Sequence, residues 1–368
     1  MEKIKILLIS DIHLGIENVN PIISGEERLE TLDKIISIAN DHDILLIAGD
    51  LINDENIDSR YFDILNEKFS SLIEAGKEIF FTPGYGEQTS QAGINPSILK
   101  INTTFTFSED KESVKKSSQG DIFIYGLWDN GSSNEWNIAR SGEDGFHIGL
   151  FYADFNPQIN DSSDKPSIKK KNIKKMNLDF YALGKNHTFK MFKLDNKIIG
   201  AYPGSSESCS IDEIGEKFAV TMEIESAELQ SIKKIAVNTP KIFGGEIDCS
   251  DIFDQSALSE KIKSSYPADA IINITLSGDR DFMIESNFAD EISQFFKAGK
   301  ITDISIPSLK IMIEENMSND SLKGVFFQML NEKIDKNTSS KADNEMLVEI
   351  ISQRSRGNKN EGVVLCDF

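Results

Sequence analysis

The sequence predicts an α/β protein whose first half is a layered sheet with helices packed against it. Six continuous apolar runs of strand length occur in the first half of the chain, and such runs are typical of strands buried on both faces of a sheet. Between the first of these runs lie two segments whose apolar residues have helical spacing. Because strands and helices alternate, we expect a layered α/β fold with helices flanking the sheet.

The individual elements follow from local patterns. The predicted strands cover residues 3–10, 43–49, 78–82, 121–127, 147–153 and 179–184. The predicted helices cover 26–40 and 58–76, and Gly76 is a suitable residue to end the second helix. The polar stretch 156–172 predicts a surface loop, and the segment 189–202 predicts a hairpin that turns at Asp195-Asn196.

The pattern of apolar and polar residues changes in the second half of the chain. Alternating strands in "KFAVTMEIE" and "KKIAVN" begin near residue 217, and a shift in composition near 239–251 marks a predicted boundary. We therefore expect a first domain over residues 1–242, a small α+β domain over 250–316 and a helical C-terminal region over 317–368. Helical patterns in this part lie near 251–265, 286–297, 318–334 and 341–355.

Composition and cysteine content limit the class of protein. With 39% hydrophobic and 27% charged residues, the chain has the composition of a soluble globular protein. No apolar run approaches the roughly 18 residues that span a bilayer, and the N-terminal "KIKILLIS" is too short for a signal sequence. Three widely spaced cysteines without a C-x-x-C pair argue against a disulfide framework or a thiolate metal site. We expect a cytoplasmic protein without a membrane association.

A basic segment stands out from an acidic chain. The net charge of −21 argues against attraction of nucleic acid to the whole surface. The segment "KPSIKKKNIKK" nevertheless concentrates six lysines: Lys165, Lys169, Lys170, Lys171, Lys174 and Lys175. Two interpretations remain open, a solvated helix face or loop on one side and a patch that contacts phosphates on the other.

Metal-capable residues follow three of the predicted buried strands. Asp11 and His13 follow the first strand, Asp50 follows the second and His187 follows the sixth. Ligands bind at the carboxyl ends of strands in open α/β sheets, so these loops can converge on one crevice. Two carboxylates and two imidazoles suit Mn, Fe or Zn better than Ca or Mg. The other two histidines, His42 and His147, begin their strands and are interpreted as structural or exposed.

Five short motifs carry a resemblance to a known family. "SDIHLG", "AGDL", "PGYGE", "ALGKNH" and "YPGSSE" resemble, in order and spacing, the motif series of calcineurin-like metallophosphoesterases. "DIHLG" and "YPGSSE" resemble the DNA-repair exonuclease branch that includes the bacterial nuclease SbcD. The likeness covers about residues 1–240, and it implies a β-sandwich core flanked by helices with a smaller capping domain.

The resemblance implies one complete metal site and one incomplete one. Family members hold two metals that share an Asp, and the pair clamps the attacking and leaving oxygens of a phosphate ester. By position, Asp11, His13, Asp50 and His187 would hold the first metal, which we expect to be Mn, with Fe or Zn as alternatives. The second metal would share Asp50 and needs an Asn and two His. Those three positions carry Tyr85, Tyr152 and Lys185.

The incomplete half of the site also lacks its acid. The position of the family's catalytic His falls on Gly86, and only Glu87 keeps the acidic character of that motif. No residue is thus assigned as catalytic. We expect Lys185 to supply the charge of the second metal, or to act as an electrophile if catalysis survives. Tyr85 and Tyr152 would ligate a metal only as phenolates, so packing or hydrogen bonding is the favoured role for both.

Three functions remain in view from the sequence. The favoured one is an SbcD-like nuclease homologue with weak or no catalysis, which binds DNA and the SMC-like ATPase subunit SbcC and can form a homodimer, all by resemblance. The second is an active one-metal nuclease or phosphodiesterase. The third is a small-molecule phosphoesterase, against which "DIHLG" and the additional C-terminal domain count.

Overall fold

A computed structural model of the chain describes residues 3–18, 22–53, 58–84, 87–89, 93–94, 100–108, 113–126, 136, 138–156, 167–239, 241–317, 321–335 and 363–367. The chain divides into two compact units, Met1–Pro240 and Lys241–Phe368. Each unit has its own hydrophobic core. No helix within the described ranges is long and apolar enough to cross a membrane.

The first unit contains sixteen strands and three α-helices among its described residues. The strands are β1 Ile4–Ile9, β2 Ile44–Ala48, β3 Glu78–Thr82, β4 Gln88–Thr89, β5 Gly93–Ile94, β6 Phe105–Thr106, β7 Val114–Lys116, β8 Ile122–Gly126, β9 Phe146–Tyr152, β10 Asp154–Asn156, β11 Ser167–Lys169, β12 Phe180–Gly184, β13 Lys190–Leu194, β14 Lys197–Tyr202, β15 Phe218–Glu225 and β16 Glu228–Ala236. The helices are α1 Gly25–Asn40, α2 Arg60–Glu74 and α3 Lys170–Met176, and a short 3₁₀ helix covers Ile16–Asn18.

Two sheets of six strands form the centre of this unit. One sheet has the order β16-β15-β1-β2-β3-β6, and the other has the order β13-β14-β12-β9-β8-β7. The strands β1, β2, β3 and β6 run parallel to one another, as do β8, β9, β12 and β14. The carboxyl ends of the inner parallel strands in each sheet therefore lie at a common edge of that sheet.

The alternation of side chains along β1 explains the layering. Ile6 and Leu8 pack into a core between the two sheets, whereas Leu7 and Ile9 pack into a core against α1 and α2. Because successive side chains of a strand point to opposite faces, a strand that is apolar throughout requires cover on both sides. The predicted α/β architecture, a β-sandwich core flanked by helices, is confirmed.

Local sequence signals set the helix ends and one hairpin. Ser24 caps α1 through a capping box with Glu27, and Gly76 after α2 has a left-handed φ of 79°. The predicted hairpin is present as β13 and β14, and Asp195 and Asn196 both have positive φ, as its tight turn requires.

The prediction of a surface loop over residues 156–172 is wrong at its C-terminal end. Residues 167–176 form β11 and α3 instead. The apolar residues Ile168, Ile173 and Met176 are buried in the core on the outer face of the second sheet. Three buried side chains among many lysines give too weak a periodicity to be recognised, but they are sufficient to anchor a short helix.

The second unit is a smaller sheet with helices. Its elements are β17 Ile242–Asp248, α4 Gln255–Ser265, β18 Ile271–Ser277, β19 Asp279–Arg280, α5 Phe288–Ser293, β20 Ala298–Asp303, β21 Ile306–Pro307, α6 Leu309–Asn316, α7 Leu322–Asp335 and β22 Val363–Asp367. The main sheet has the order β17-β18-β20-β22, in which β22 runs antiparallel to β20. The helical pattern near 341–355 lies outside the described residues.

Candidate functional site

The loops after β1, β2 and β12 meet at one edge of the sandwich. The backbone N–H of Asp11 donates to the Gly49 carbonyl and that of His13 donates to the Asp50 carbonyl, each at 3.0 Å. The N–H of Lys185 donates to the carboxylate of Asp11 at 3.1 and 3.2 Å. Residues from three distant parts of the chain are thus tied together by hydrogen bonds that backbone N–H groups donate.

Strained backbone conformations are concentrated in these loops. Asp11, His13, Asp50 and Lys185 have φ values of 49°, 52°, 47° and 94°. Residues other than glycine rarely adopt positive φ, and such conformations cluster at functional sites where the surrounding structure enforces them. The strain identifies the same loops that the motif analysis selected.

Two glycines permit the close approach of these loops. A Cβ at Gly184, the last residue of β12, would lie 1.6 Å from the carbonyl oxygen of Ala48, the last residue of β2. A Cβ at Gly84 would lie 2.3 Å from Oδ1 of Asp50. Any side chain at either position would separate the strand ends, so both positions require glycine.

The structure brings all four predicted metal ligands together. Nε2 of His13 lies 3.1 Å from Nε2 of His187 and 3.7 Å from Oδ2 of Asp50. Nε2 of His187 lies 3.9 Å from Oδ1 of Asp11. The candidate ligand atoms of Asp11, His13 and Asp50 all lie within 4.8 Å of one another.

The donor set fits one divalent cation. Two imidazole nitrogens that bind one tetrahedral Zn²⁺ at about 2.0–2.1 Å lie about 3.3–3.4 Å apart, which is close to the observed 3.1 Å. Asp11 is fully buried beside Asp50, and burial, aided by the Asp50 charge and partly offset by Ser10, raises the pKa of Asp11 to about 7. A cation would relieve this accumulation of negative charge.

His13 is available as a ligand because it stays neutral. Burial lowers its pKa to about 4, against the opposing effect of the Asp50 charge. Its Nδ1 is buried and has no hydrogen-bond partner in the described part of the structure. A neutral imidazole is the form that binds metals.

Glu213 orients His187, a role that sequence reasoning missed. Nδ1 of His187 lies 2.7 Å from Oε1 of Glu213, while the other carboxylate oxygen accepts from Ser205 and Lys217 at 2.8 and 2.5 Å. Burial acts to raise the pKa of Glu213, but the bonds to His187 and Lys217 outweigh it and lower the pKa to about 2. A carboxylate that accepts from Nδ1–H directs Nε2 of the imidazole toward the metal position.

Cys209 also lies beside the two histidines and was missed as well. Its sulfur and the nitrogens of His13 and His187 lie within 4.8 Å of one another, and the thiol is buried. Burial acts to lower the pKa of His187, but hydrogen bonds to Cys209 and Glu213 raise it to about 10, so a metal that binds Nε2 would have to displace a proton from this imidazole. Nothing in the sequence around Cys209 signals this position, because the prediction considered only paired cysteines.

Tyr152 and Lys185, two positions where the resemblance implies second-metal ligands, have other partners in the structure. The Tyr152 hydroxyl donates to Oδ2 of Asp50 at 2.5 Å, and burial together with the Asp50 charge raises the pKa of Tyr152 far above its usual value. Tyr152 thus forms a hydrogen bond within the site. The Lys185 ammonium forms an ion pair with Asp154 at 2.8 Å. Tyr85 and Gly86 lie outside the described residues.

Glu87 connects the Gly84 corner to the Asp50 loop. Its buried carboxylate accepts from the backbone N–H groups of Asp50 and Ile52, each at 2.9 Å, and of Gly84 at 2.6 Å. Burial and the Asp50 charge raise the pKa of Glu87 to about 8, although the three N–H donors oppose this effect. Glu87 therefore has a structural role, which is to hold the Gly84 corner against the Asp50 loop.

The remaining histidines are structural, as expected. His147 is fully buried, stacks on Phe123 and has Nδ1 2.7 Å from the Tyr125 hydroxyl. Nε2 of His42 lies 2.7 Å from Oγ1 of Thr221.

The basic segment lies on β11 and α3. Lys171, Lys174 and Lys175 of α3 are exposed, whereas Lys169 and Lys170 are partly buried. Lys165 lies outside the described residues. The spacing of three and four residues places the exposed lysines on one face of the helix.

Comparison with known proteins gives a family match for the N-terminal part. Residues 4–84 match the model of the family described as calcineurin-like phosphoesterase. No curated protein matches the chain. The match spans three of the four predicted ligands, Asp11, His13 and Asp50.

Two solved structures are similar to the chain at low sequence identity. One is a conserved uncharacterized protein from Streptococcus pneumoniae TIGR4, described as a predicted phosphoesterase, with 13% identity, a TM-score of 0.28 and coverage of 64% of this chain and 99% of the other. Another is Vps29 from Chaetomium thermophilum, with 12% identity, a TM-score of 0.27 and coverage of 64% and 100%. The family match makes residues 4–84 similar to calcineurin-like phosphoesterases.

Proposed function

We propose that this chain is an SbcD-like nuclease homologue that holds one metal and has weak or no hydrolytic activity. In this role it binds DNA and an SMC-like ATPase subunit of the SbcC type. The observation that carries the proposal is the hydrogen bond from the Tyr152 hydroxyl to Oδ2 of Asp50. A two-metal phosphoesterase needs a carboxylate that bridges both ions. Oδ2 of Asp50 also lies 3.7 Å from Nε2 of His13, so Tyr152 engages the oxygen that faces the first metal position and reduces what this carboxylate can offer to a second ion.

The protonation of Tyr152 supports a single-metal site. Its raised pKa keeps the phenol protonated at neutral pH, so its oxygen is not available as a phenolate ligand. At Lys185, an ammonium has no lone pair to offer a metal. With these two residues where the family places metal ligands, the second ion lacks the donors that it requires.

Lys185 contributes positive charge to this half of the site. Its ammonium is about one-quarter exposed and pairs with Asp154 at 2.8 Å. We propose that this charge takes the place of the second ion, with Asp154 and not Asp50 as its ion-pair partner. A second divalent ion close to an ammonium would be repelled strongly in a partly buried site.

The retained metal would be held by Asp11, His13, Asp50 and His187. When bound, such a metal polarises a phosphate oxygen and lowers the pKa of a bound water. Glu213 orients His187 for this binding, and Glu87 fixes the loop that carries Asp50.

A one-metal phosphoesterase acting on DNA or on a smaller phosphodiester is the second candidate. It is favoured by the exposure of the site, since 31% of the His187 side chain is accessible to solvent. A phosphate could therefore reach the metal position and the Lys185 ammonium together.

Metal analysis and a nuclease assay test the proposal. We expect no more than one metal per chain after incubation with Mn²⁺, and negligible hydrolysis of linear DNA or of a generic phosphodiester. Robust Mn²⁺-dependent hydrolysis that Asp50→Ala abolishes would refute the weak-catalysis proposal and favour the second candidate. The matched control is Asp63→Ala, because Asp63 is exposed on α2.

The basic face of α3 supports DNA binding and is tested separately. Each phosphate contact contributes about 0.9 to the slope of log affinity against log salt. Replacing Lys171, Lys174 and Lys175 with Gln is expected to lower that slope by about 2–3 in fluorescence anisotropy with duplex DNA. An unchanged slope would show that α3 is only a solvated face. Lys261→Gln on α4 is the control, because it removes one exposed charge outside the segment.

A further inference from the structure

We propose that Cys209 is a thiolate ligand of the retained metal, which makes the centre a mixed sulfur, nitrogen and oxygen site selective for Zn²⁺ over Mn²⁺. This inference rests on the proposed function in one respect only: a metal must bind at the position formed by Asp11, His13, Asp50 and His187.

The position of the Cys209 sulfur is the first argument. The sulfur, a ring nitrogen of His187 and a ring nitrogen of His13 form a group whose candidate ligand atoms all lie within 4.8 Å of one another. His13 also belongs to the group with Asp11 and Asp50. One imidazole is thus common to the sulfur-containing and the carboxylate-containing groups, which places Cys209 next to the metal position at His13.

The support around Cys209 is the second argument. The backbone N–H of Cys209 donates to Oε2 of Glu213 at 3.3 Å, and the same carboxylate binds Nδ1 of His187. One carboxylate thereby fixes two of the proposed ligands relative to each other. Lys217 holds that carboxylate from the other side. Ligands positioned by a shared neighbour lose little conformational freedom when a metal binds.

A buried arginine, Arg28, holds the segment that carries Cys209 next to the loop after β1. Arg28 of α1 is almost fully buried, and its guanidinium donates to the carbonyl oxygens of Ile12 at 3.1 Å and Ser208 at 2.5 Å. Ile12 lies between Asp11 and His13, and Ser208 precedes Cys209. This side chain therefore connects the loop that carries the first ligands to the loop that carries Cys209.

The chemistry of the enlarged donor set determines the selectivity. A thiolate is a soft ligand that favours Zn²⁺ or Fe²⁺ over Mn²⁺, whereas carboxylates and water suit Mn²⁺. On binding, the Cys209 S–H bond breaks, the sulfur forms a bond to the metal and the proton passes to solvent. Sequence reasoning expected Mn at this position, and the presence of Cys209 changes that expectation to Zn.

Cobalt substitution tests the ligand directly. In the full chain titrated with Co²⁺, thiolate ligation gives a sulfur-to-cobalt charge-transfer band in the near ultraviolet. We expect this band at one equivalent of Co²⁺, its loss in Cys209→Ala and its retention in Cys249→Ala. Cys249 is the control because it is a buried free cysteine of the second unit.

Competition between Zn²⁺ and Mn²⁺ provides the second measurement. Loss of a soft ligand is expected to reduce the ratio of Zn²⁺ to Mn²⁺ affinity at least about tenfold in Cys209→Ala, with no change in Cys249→Ala. If Cys209→Ala fails to fold, the spectrum of the unsubstituted chain still decides the question. One bound Co²⁺ without the band overturns the thiolate ligand and leaves the single-metal site intact, whereas no bound metal at all overturns both.

Discussion

The contact between Gly184 and Ala48 supports a quantitative prediction about how the site is assembled. In Gly184→Ala the new Cβ would lie 1.6 Å from the Ala48 carbonyl oxygen, and such atoms are essentially never closer than 3.0 Å. The ends of β12 and β2 would have to separate by about 1.4 Å. Because the obstacle is backbone and not a flexible side chain, we expect a loss at the upper end of the ~1–3 kcal/mol that overpacking costs.

Urea unfolding followed by circular dichroism measures this loss. The matched control is Gly142→Ala, since a Cβ at Gly142 meets no atom within 4 Å, and we expect its free energy of unfolding to stay within about 0.5 kcal/mol of the parent. The separation also moves His187 away from Asp50, so Zn²⁺ affinity falls in Gly184→Ala and not in the control. Equal stability and equal Zn²⁺ affinity of the two variants would refute the close approach of the strand ends.

Three further substitutions test the supports of the site and the core. Glu87→Ala leaves three buried N–H groups without an acceptor and is expected to cost about 3 kcal/mol or more in urea unfolding, whereas exposed Glu67→Ala on α2 costs almost nothing. Glu213→Ala is expected to weaken Zn²⁺ binding by about 10–100-fold in calorimetry. Glu213→Gln is the control, because it retains an acceptor for His187. Equal losses of affinity in both variants would contradict the proposal that Glu213 orients His187. Burial lowers the pKa of His147 in the folded state, so the unfolded chain binds a proton at this residue more readily than the folded one. The free energy of unfolding is therefore expected to decline as the pH falls below about 6.5, the usual pKa of histidine. His147→Gln should reduce that decline, and an unchanged pH profile would argue against it.

The fold and the grouping of the candidate ligands were predictable because each candidate ligand follows a buried strand. Strands such as β2 are apolar at every position, which indicates cover on both faces, and the carboxyl ends of parallel strands meet at one edge. Asp11, Asp50 and His187 could therefore be placed together without coordinates. The conformations of these residues could not be predicted, because positive φ at Asp11 and Asp50 is imposed by the meeting of three loops.

The supporting residues were not predictable from sequence. Glu213 and Cys209 belong to a segment with neither strand nor helix periodicity. They reach His187 because the chain after β14 folds back over β1, where Ser205 pairs with Ser10. Residues this far apart in sequence leave no local pattern from which such contacts could be predicted.

The ion-pair partner of Lys185 could not be predicted from the sequence either. The sequence suggested a position beside Asp50, and the structure shows an ion pair with Asp154. The register between β9 and β12 pairs Gly184 with Tyr152, so the residues that follow these two strands lie side by side. Strand register, which sequence patterns specify only weakly, determines this contact.

The main-chain hydrogen bonds among the ligand loops have a consequence for the order of maturation. Asp11 and His13 are held by carbonyl groups of the β2 loop, and Asp50 is held by Glu87, all of them bonds within the chain. In zinc fingers the metal must arrive before the chain can fold. Here the loops that carry the candidate ligands are fixed by hydrogen bonds within the chain. These bonds need no ion, so a metal would not be required to assemble the loops and could bind after folding.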